Sequence, residues 1–367
     1  MFIEHLETFR FRNLQRLSFD LGPNTVVLEG PNAQGKTNIL EALNVCATGK
    51  SFRRAKPREL LCHGAHQGFV KARFSRQGVR HDVEVELSPT RRTVKVDGRG
   101  LRRASKLLEL INVVAFFPDD LRIIKGSPEE RRNFLDRAVA NHRSEFVDAT
   151  LSYGKALKAR NSLLRQDSVD RDMIGVYDTQ LVEHGLILHR CRQETLTALQ
   201  PLVVEHFGRV MQSDITLGLG LLSGLPDAAG ELDADRFAAA LHNSYPRDRA
   251  RGLTNVGPHR ADLNFDLDGQ PARQFASQGQ QRALVLALKL AEVVYLRARL
   301  DCAPILLLDD VSSELDSERT RLLFEVVGGL DSQVWVTTTG AAPLPLPADV
   351  NHFQVRNGSL QTSPAQP

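Results

Sequence analysis

Eight residues near the amino end are spaced for chemistry on phosphates. Gly30, Pro31, Asn32, Ala33, Gln34, Gly35, Lys36 and Thr37 fit G-x-x-x-x-G-K-[ST]. The glycines admit backbone N–H groups to a phosphate chain without side-chain collision. Lys36 suits the β- and γ-phosphates, and the Thr37 hydroxyl suits Mg²⁺. A second group stands far along the chain, where the apolar run Ile305–Leu308 ends in Asp309 and Asp310. A carboxylate after such a strand holds Mg²⁺ directly or through water, which points to Asp309. The next carboxylate, Asp310, is placed to orient an attacking water. A third group is Ser277-Gln278-Gly279-Gln280-Gln281, ahead of a strongly apolar helix. There Ser277 and Gly279 present a hydroxyl and backbone amides at a helix start, although a serine in that place is most often an ordinary cap.

These groups need elements to carry them. Thr25–Glu29 reads as a buried strand and 38–47 as a helix, the context the loop requires. Residues 1–20 suit a hairpin feeding that strand. The segments "GFVKARFS", "VRHDVEVELSP" and "RTVKVDGR" alternate apolar and polar residues and read as an antiparallel meander with a tip at Ser88-Pro89-Thr90. "INVVAFF" reads as one more strand. From Ser127 the spacing turns helical, with a good start signal in Ser127-Pro128-Glu129-Glu130. It continues with breaks to about Arg165, and a second long helix spans about 172–211. "LGLGLLSGLPDAAGE" reads as a Gly-rich connection, and residues 361–367 as a loose tail. The expected organisation is a nucleotide-binding head from 1–120 plus 303–367, split in sequence by a mainly helical domain at 121–302.

Composition narrows the partners. The chain has 367 residues, 42% hydrophobic and 25% charged, with a net charge of +3. No stretch resembles a signal peptide or a membrane-spanning helix, and the four scattered cysteines suit neither a zinc site nor a disulfide framework. A reducing cytoplasm is the expected location. Charge is uneven: Lys50–Lys106 holds 16 Lys and Arg against 5 Asp and Glu, an excess of +11 that leaves −8 elsewhere. This favours a face for a polyanion, and the sparse aromatics favour duplex backbone over stacked single strands. Arg53, Arg54, Arg91, Arg92, Arg102 and Arg103 are the candidate DNA contacts, Arg being suited to phosphate forks.

The blocks "FRNL", "GPNAQGKTNILEA", "FFPDDLRIIKGSPEERRNFLD", "VGPHRADL", "SQGQQRALVLALKLAE", "LLLDDVSSELD" and "VTTTG" occur in this order over nearly the whole chain. Together they resemble the RecF-like family of SMC/ABC-type ATPase heads. The resemblance implies an α/β P-loop ATPase head with an antiparallel β-meander and a helical insertion domain carrying the signature motif. It implies ATP and Mg²⁺ as cofactors, and an ATP-dependent homodimer. In it, Ser277 and Gly279 of one copy touch the γ-phosphate held by the other, and Asp316 is an interfacial contact. Lys36, Ser277, Gly279 and Asp310 then form the catalytic set of a slow, DNA-stimulated ATPase that works as a switch.

The same resemblance implies recombinational repair and replication restart within the SOS response, directing RecA loading at DNA gaps together with RecR and RecO. Three features depart from many ABC heads. Asp310 stands where a longer Glu is common, threonines 337–339 stand where a His is common, and "FFPDDL" lacks the usual Gln. Other readings are the ATPase subunit of a membrane transporter and a scaffold that binds nucleotide without hydrolysing it. A true SMC protein would need far longer helical arms.

Overall fold

Three apolar runs, "TVVLE", "ILLL" and "VWVTT", form neighbouring strands buried on both faces. Such runs suit a parallel sheet covered on each side. We describe the chain from a computed structural model covering residues 1–101, 103, 105–226, 232–300, 302–311, 315–340, 344–347 and 349–362. Contacts divide it into two units, Met1–Asp120 with Leu288–Pro367, and Leu121–Ala287. The sequence reading put the return to the first unit at 303. It falls inside the helix Gln278–Arg299, whose later part bonds within the first unit: Lys289 Nζ donates to Ala115 O at 2.7 Å.

The first unit contains two sheets. One is built from β1 (Phe2–Phe11), β2 (Leu14–Asp20), β4 (Gly68–Arg76), β5 (Val79–Leu87), β6 (Arg92–Val96) and β7 (Arg99–Gly100), in the order β2-β1-β4-β5-β6-β7. All its pairings are antiparallel, as the alternating meander predicts. The other contains β3 (Thr25–Glu29), β8 (Val113–Phe116), β12 (Ile305–Leu308), β13 (Val334–Thr338), β14 (Val350–Arg356) and β15 (Ser359–Thr362), in the order β15-β14-β3-β13-β12-β8. Only β15 runs antiparallel to its neighbour. Helix α1 (Lys36–Thr48) packs against strands of both sheets and is buried almost all round, with Ile39 to Ala47 inside. Trp335, fully buried, joins the same core.

Register puts four strand ends together. Thr338 pairs with Glu29, and Leu308 pairs with both Val336 and Phe116. The loops after β3, β8, β12 and β13 therefore leave from one edge of the sheet, where open α/β sheets bind ligands.

The second unit holds the helices Pro128–Ala140, Ser144–Leu164, Arg171–Met211 and Ala234–Arg251. Ser127 and Glu130 form the capping box that their spacing predicts. The two long helices pack together as a hairpin. Arg160, fully buried, bonds Asp178 at 2.6 Å and Asp248 at 2.8 Å, so its charge is paired. His259 lies between Tyr153 Oη at 2.7 Å and Thr254 O at 3.1 Å, and burial pushes its pKa down to about 4. It is thus a neutral, hydrogen-bonded loop histidine.

Two expectations are corrected here. Gln361 and Thr362, expected at the start of a loose tail, instead pair with Gln354 and Phe353 as the end of β15. Leu217–Leu222, read as part of a Gly-rich connection, is a strand, β9, paired antiparallel with β10 (Asp262–Leu267) and through it with β11 (Gln270–Pro271). Its glycines lower strand propensity, but Gly220 lies opposite Asn264, where a Cβ would come within 2.4 Å of Oδ1. The end of that connection, 227–231, lies outside the described residues.

Candidate functional site

The turn from β3 into α1 wraps Gly30 to Gly35 around the helix start. Gly35 occupies the N-cap with φ 113°, and a Cβ there would lie 2.9 Å from Asn13 Oδ1. With no side chain capping α1, its first-turn N–H groups are left to an anion. Helix α1 starts at Lys36, two residues earlier than its apolar spacing suggested. Lys36 Nζ donates to Gly30 O at 2.5 Å and Pro31 O at 2.9 Å. Burial lowers the Lys36 pKa, while Asp310 and Asp309 pull it back up.

The acid pair meets this loop. Thr37 Oγ1 donates to Asp309 Oδ1 at 2.9 Å, across 272 positions of sequence. Thr337, at the end of the strand lying between β3 and β12, donates to the same oxygen at 2.8 Å. Its hydroxyl also accepts the Asp310 N–H at 2.8 Å. One buried hydroxyl therefore orients both carboxylate residues. Burial raises the Asp309 pKa, against the hydrogen bonds from Thr337 and Thr37 and the Arg53 charge. Asp310 sits at φ 50°, an uncommon conformation for a residue with a Cβ. An inward-facing lysine, a hydroxyl–carboxylate pair and a loop of uncapped amides fit a triphosphate with a hard divalent cation.

Sequence reasoning saw Thr337 only as a departure from a common histidine. It missed Glu41, whose side chain is fully buried on α1. Glu41 accepts two bonds from Arg12 at 2.8 Å, one from Ser51 Oγ at 2.5 Å and one from Arg53 at 3.4 Å. Arg12 thus anchors the helix, while Asn13 Nδ2 donates to Gln34 O at 3.2 Å on the loop. Both belong to the block "FRNL", whose resemblance places them near the nucleotide with packing as an equal explanation; their bonding partners have no local sequence signal.

Ser277 and Gly279 belong to the second unit. The helix begins at Gln278, so Gly279 to Gln281 lie in its first turn. Ser277 Oγ accepts the Gln280 N–H at 3.2 Å, and Gln280 Oε1 accepts the Ser277 N–H at 2.7 Å. This is a capping box, which uses a lone pair of the hydroxyl and leaves its proton uncommitted in that bond. Asp316 caps the helix Ser317–Gly328 through the Arg319 N–H; residues 312–314 of "SSELD" lie outside the described residues.

The arginines divide. Arg53 bonds Asn38 Oδ1 at 2.9 Å as well as Glu41, so part of its capacity serves the α1 network. Arg54, Arg91 and Arg103 are exposed on loops, and Arg92 is half-buried at the start of β6 with burial lowering its pKa. Arg102 lies outside the described residues. Elsewhere in the basic stretch, Arg73 pairs with Asp82, Arg80 with Glu4, and Lys95 with Glu86. The charge excess therefore overstates the free cations.

Comparison with known proteins agrees with this geometry. The family model described as RecF/RecN/SMC N terminal domain matches residues 2–345. The DNA replication and repair protein RecF of Lachnoclostridium phytofermentans is 37% identical over 344 residues, 93% of each chain. That of Anaeromyxobacter sp. is 40% identical over 333 residues, 90% of each. A solved structure of the recombination mediator protein RecF-ATP superposes with a TM-score of 0.90 at 28% identity, covering 99% of this chain and 98% of that one. The α/β head with its antiparallel meander and helical insertion is the fold these proteins share, and this chain belongs to the RecF family of SMC-type ATPase heads.

Proposed function

We propose that this chain is an ATP-dependent switch of DNA repair that works as a dimer on DNA. The observation that carries the reading is the meeting of Thr37 and Asp309 at 2.9 Å beside Lys36. Residues Gly30, Pro31, Asn32, Ala33, Gln34 and Gly35 cradle the phosphates, and Lys36 reaches the β- and γ-phosphates. Thr37 and Asp309 hold Mg²⁺, which when bound neutralises phosphate charge. Among the described residues no cluster of three or more His, Cys, Asp or Glu could hold a metal. A magnesium ion here would be held by one carboxylate, a hydroxyl and the phosphates themselves. Asp310 orients the attacking water, its backbone held by Thr337.

Ser277 and Gly279 of one copy contact the γ-phosphate gripped by the other. The uncommitted Ser277 proton and the first-turn amides supply the donors. Triphosphate then binds the dimer better than the monomer, and loss of the γ-phosphate releases the clamp. Asp310 reaches one methylene less far than a glutamate, which favours slow hydrolysis suited to timing. Exposed Arg54, Arg91 and Arg103, with Arg53, Arg92 and Arg102, contact duplex phosphates. The names of the relatives support a role in replication and repair, and the RecFOR pathway named for the solved neighbour supports RecR and RecO as partners, with RecA loading at gaps carried by the family resemblance alone. The cytoplasm is the matching location.

Light scattering of the protein with ATP, ADP or no nucleotide, with and without gapped duplex, tests the reading. ATP should double the mass, and Lys36→Met or Ser277→Ala should abolish the change. A mass indifferent to nucleotide would refute it.

A further inference from the structure

Gln34 lies between two left-handed residues, Ala33 at φ 65° and Gly35 at φ 113°. A residue with a Cβ resists that conformation, so the loop has to be held in it. Asn13 Nδ2 supplies one bond of the hold, to Gln34 O at 3.2 Å, and the two shorter ones come from the far end of the chain. The hairpin joining β14 to β15 turns at Asn357 and Gly358, with φ 47° and 73°, as a tight two-residue hairpin requires. This turn delivers two successive N–H groups to one residue. Gly358 N–H donates to Gln34 O at 2.8 Å, and Asn357 N–H donates to Gln34 Oε1 at 2.7 Å, across 323 positions. Packing leaves neither side room to retreat. A Cβ on Gly30 would lie 2.4 Å from Val355 O, and one on Gly358 would lie 2.4 Å from Asn13 O. The strand before the turn, β14, also runs parallel beside β3, which feeds the loop. The loop is therefore braced at Gly30 and again at Gln34 by the same hairpin.

We infer that the Asn357–Gly358 turn is a positioning element of the phosphate loop, so that a C-terminal hairpin outside the nucleotide motif sets nucleotide affinity. The inference rests on the reading of Gly30–Thr37 as the nucleotide site. With both oxygens of Gln34 pinned, the loop is organised before a ligand arrives. Released, Ala33 relaxes to ordinary φ, and binding has to rebuild the cradle at a loss of affinity. The coupling is reciprocal: a triphosphate that holds the loop also holds the turn.

Hydrogen exchange on the full-length protein tests this without any substitution. A non-hydrolysable ATP analogue should slow exchange in residues 355–360 several-fold. Analogue affinity is then measured for two variants by titration. Gly358→Ala meets the Asn13 carbonyl in a left-handed turn and should bind about tenfold more weakly. Asn357→Gly keeps the N–H and the turn and should stay within about twofold of wild type. A hairpin with a merely structural role would melt earlier in Gly358→Ala, yet its exchange in the wild type would ignore nucleotide. That indifference, or a folded Gly358→Ala with wild-type affinity, overturns the inference. Lys36→Met separates the two failures. If it binds the analogue normally, the nucleotide-site reading falls; if it loses binding while the turn does not respond, only the hairpin's role falls.

Discussion

Replacing Thr337 with valine removes one hydroxyl and almost no volume, at a fully buried position. Two bonds are lost: the one donated to Asp309 Oδ1 and the one accepted from the Asp310 N–H, both 2.8 Å. A bond to an ionised carboxylate contributes about 1.5–3 kcal/mol and one from a neutral amide about 0.5–1.5 kcal/mol. The extra apolar surface of valine offsets less than about 1 kcal/mol. The expected net loss in stability is thus about 1–4.5 kcal/mol, read by urea unfolding of the nucleotide-free protein. The kinetic effect has a separate cause. Asp310 is held at φ 50°, and the N–H bond to Thr337 helps hold it there. Freed, its carboxylate leaves the water-orienting position proposed for it, and single-turnover hydrolysis of Mg-ATP should fall about 100-fold, equivalent to about 2.7 kcal/mol. Thr337→Ser keeps the hydroxyl and loses only a methyl, so it should retain most of the rate. A Thr337→Val protein that hydrolyses ATP at the wild-type rate refutes this reasoning, whatever its stability.

Burial raises the Asp309 pKa, so the folded protein holds that proton more tightly than the unfolded chain. The resulting penalty is absent below the usual carboxylate pKa of about 4, grows as pH rises through the raised value, and is complete above it. Asp309→Asn should therefore melt at or above the wild-type temperature at pH 7 in scanning calorimetry, match it in acid, and lose Mg-ATP binding at every pH. Arg12→Ala leaves the buried Glu41 without its two-bonded partner and should cost about 3 kcal/mol in urea unfolding. Arg12→Lys should recover only part, because it cannot make both bonds. In duplex-binding titrations, removing Arg54, Arg91 or Arg103 should each reduce the salt slope by up to about 0.9, with little sequence preference. Arg73→Ala should change that slope least, since its guanidinium already faces Asp82 at 2.9 Å.

Much of the fold was legible because its signals are local. The strand–loop–helix around Gly30–Thr37 is contiguous, the meander alternates with period two, and Ser127 and Glu130 stand at the spacing of a capping box. β9 was not legible, because glycine at 218 and 220 reads as loop until β10 is known to lie beside it. The charge count registered Arg53 and Arg73 but could not see Glu41 or Asp82 facing them. For Ser277 the cap and the phosphate contact looked like alternatives. The capping box uses the oxygen and not the proton, so the two roles are compatible.

Residue order alone determined which groups could grip phosphate and metal, since a phosphate loop is a run of neighbours whose backbone freedom is set by their own side chains. Tertiary structure alone decided what holds those groups in place: Thr337 on both aspartates, Glu41 under Arg12, and the Asn357–Gly358 turn on Gln34. Each of these partners is separated in sequence from the group it orients. A hydrogen bond acts over about 3 Å, so it is specified only once packing has brought those segments together.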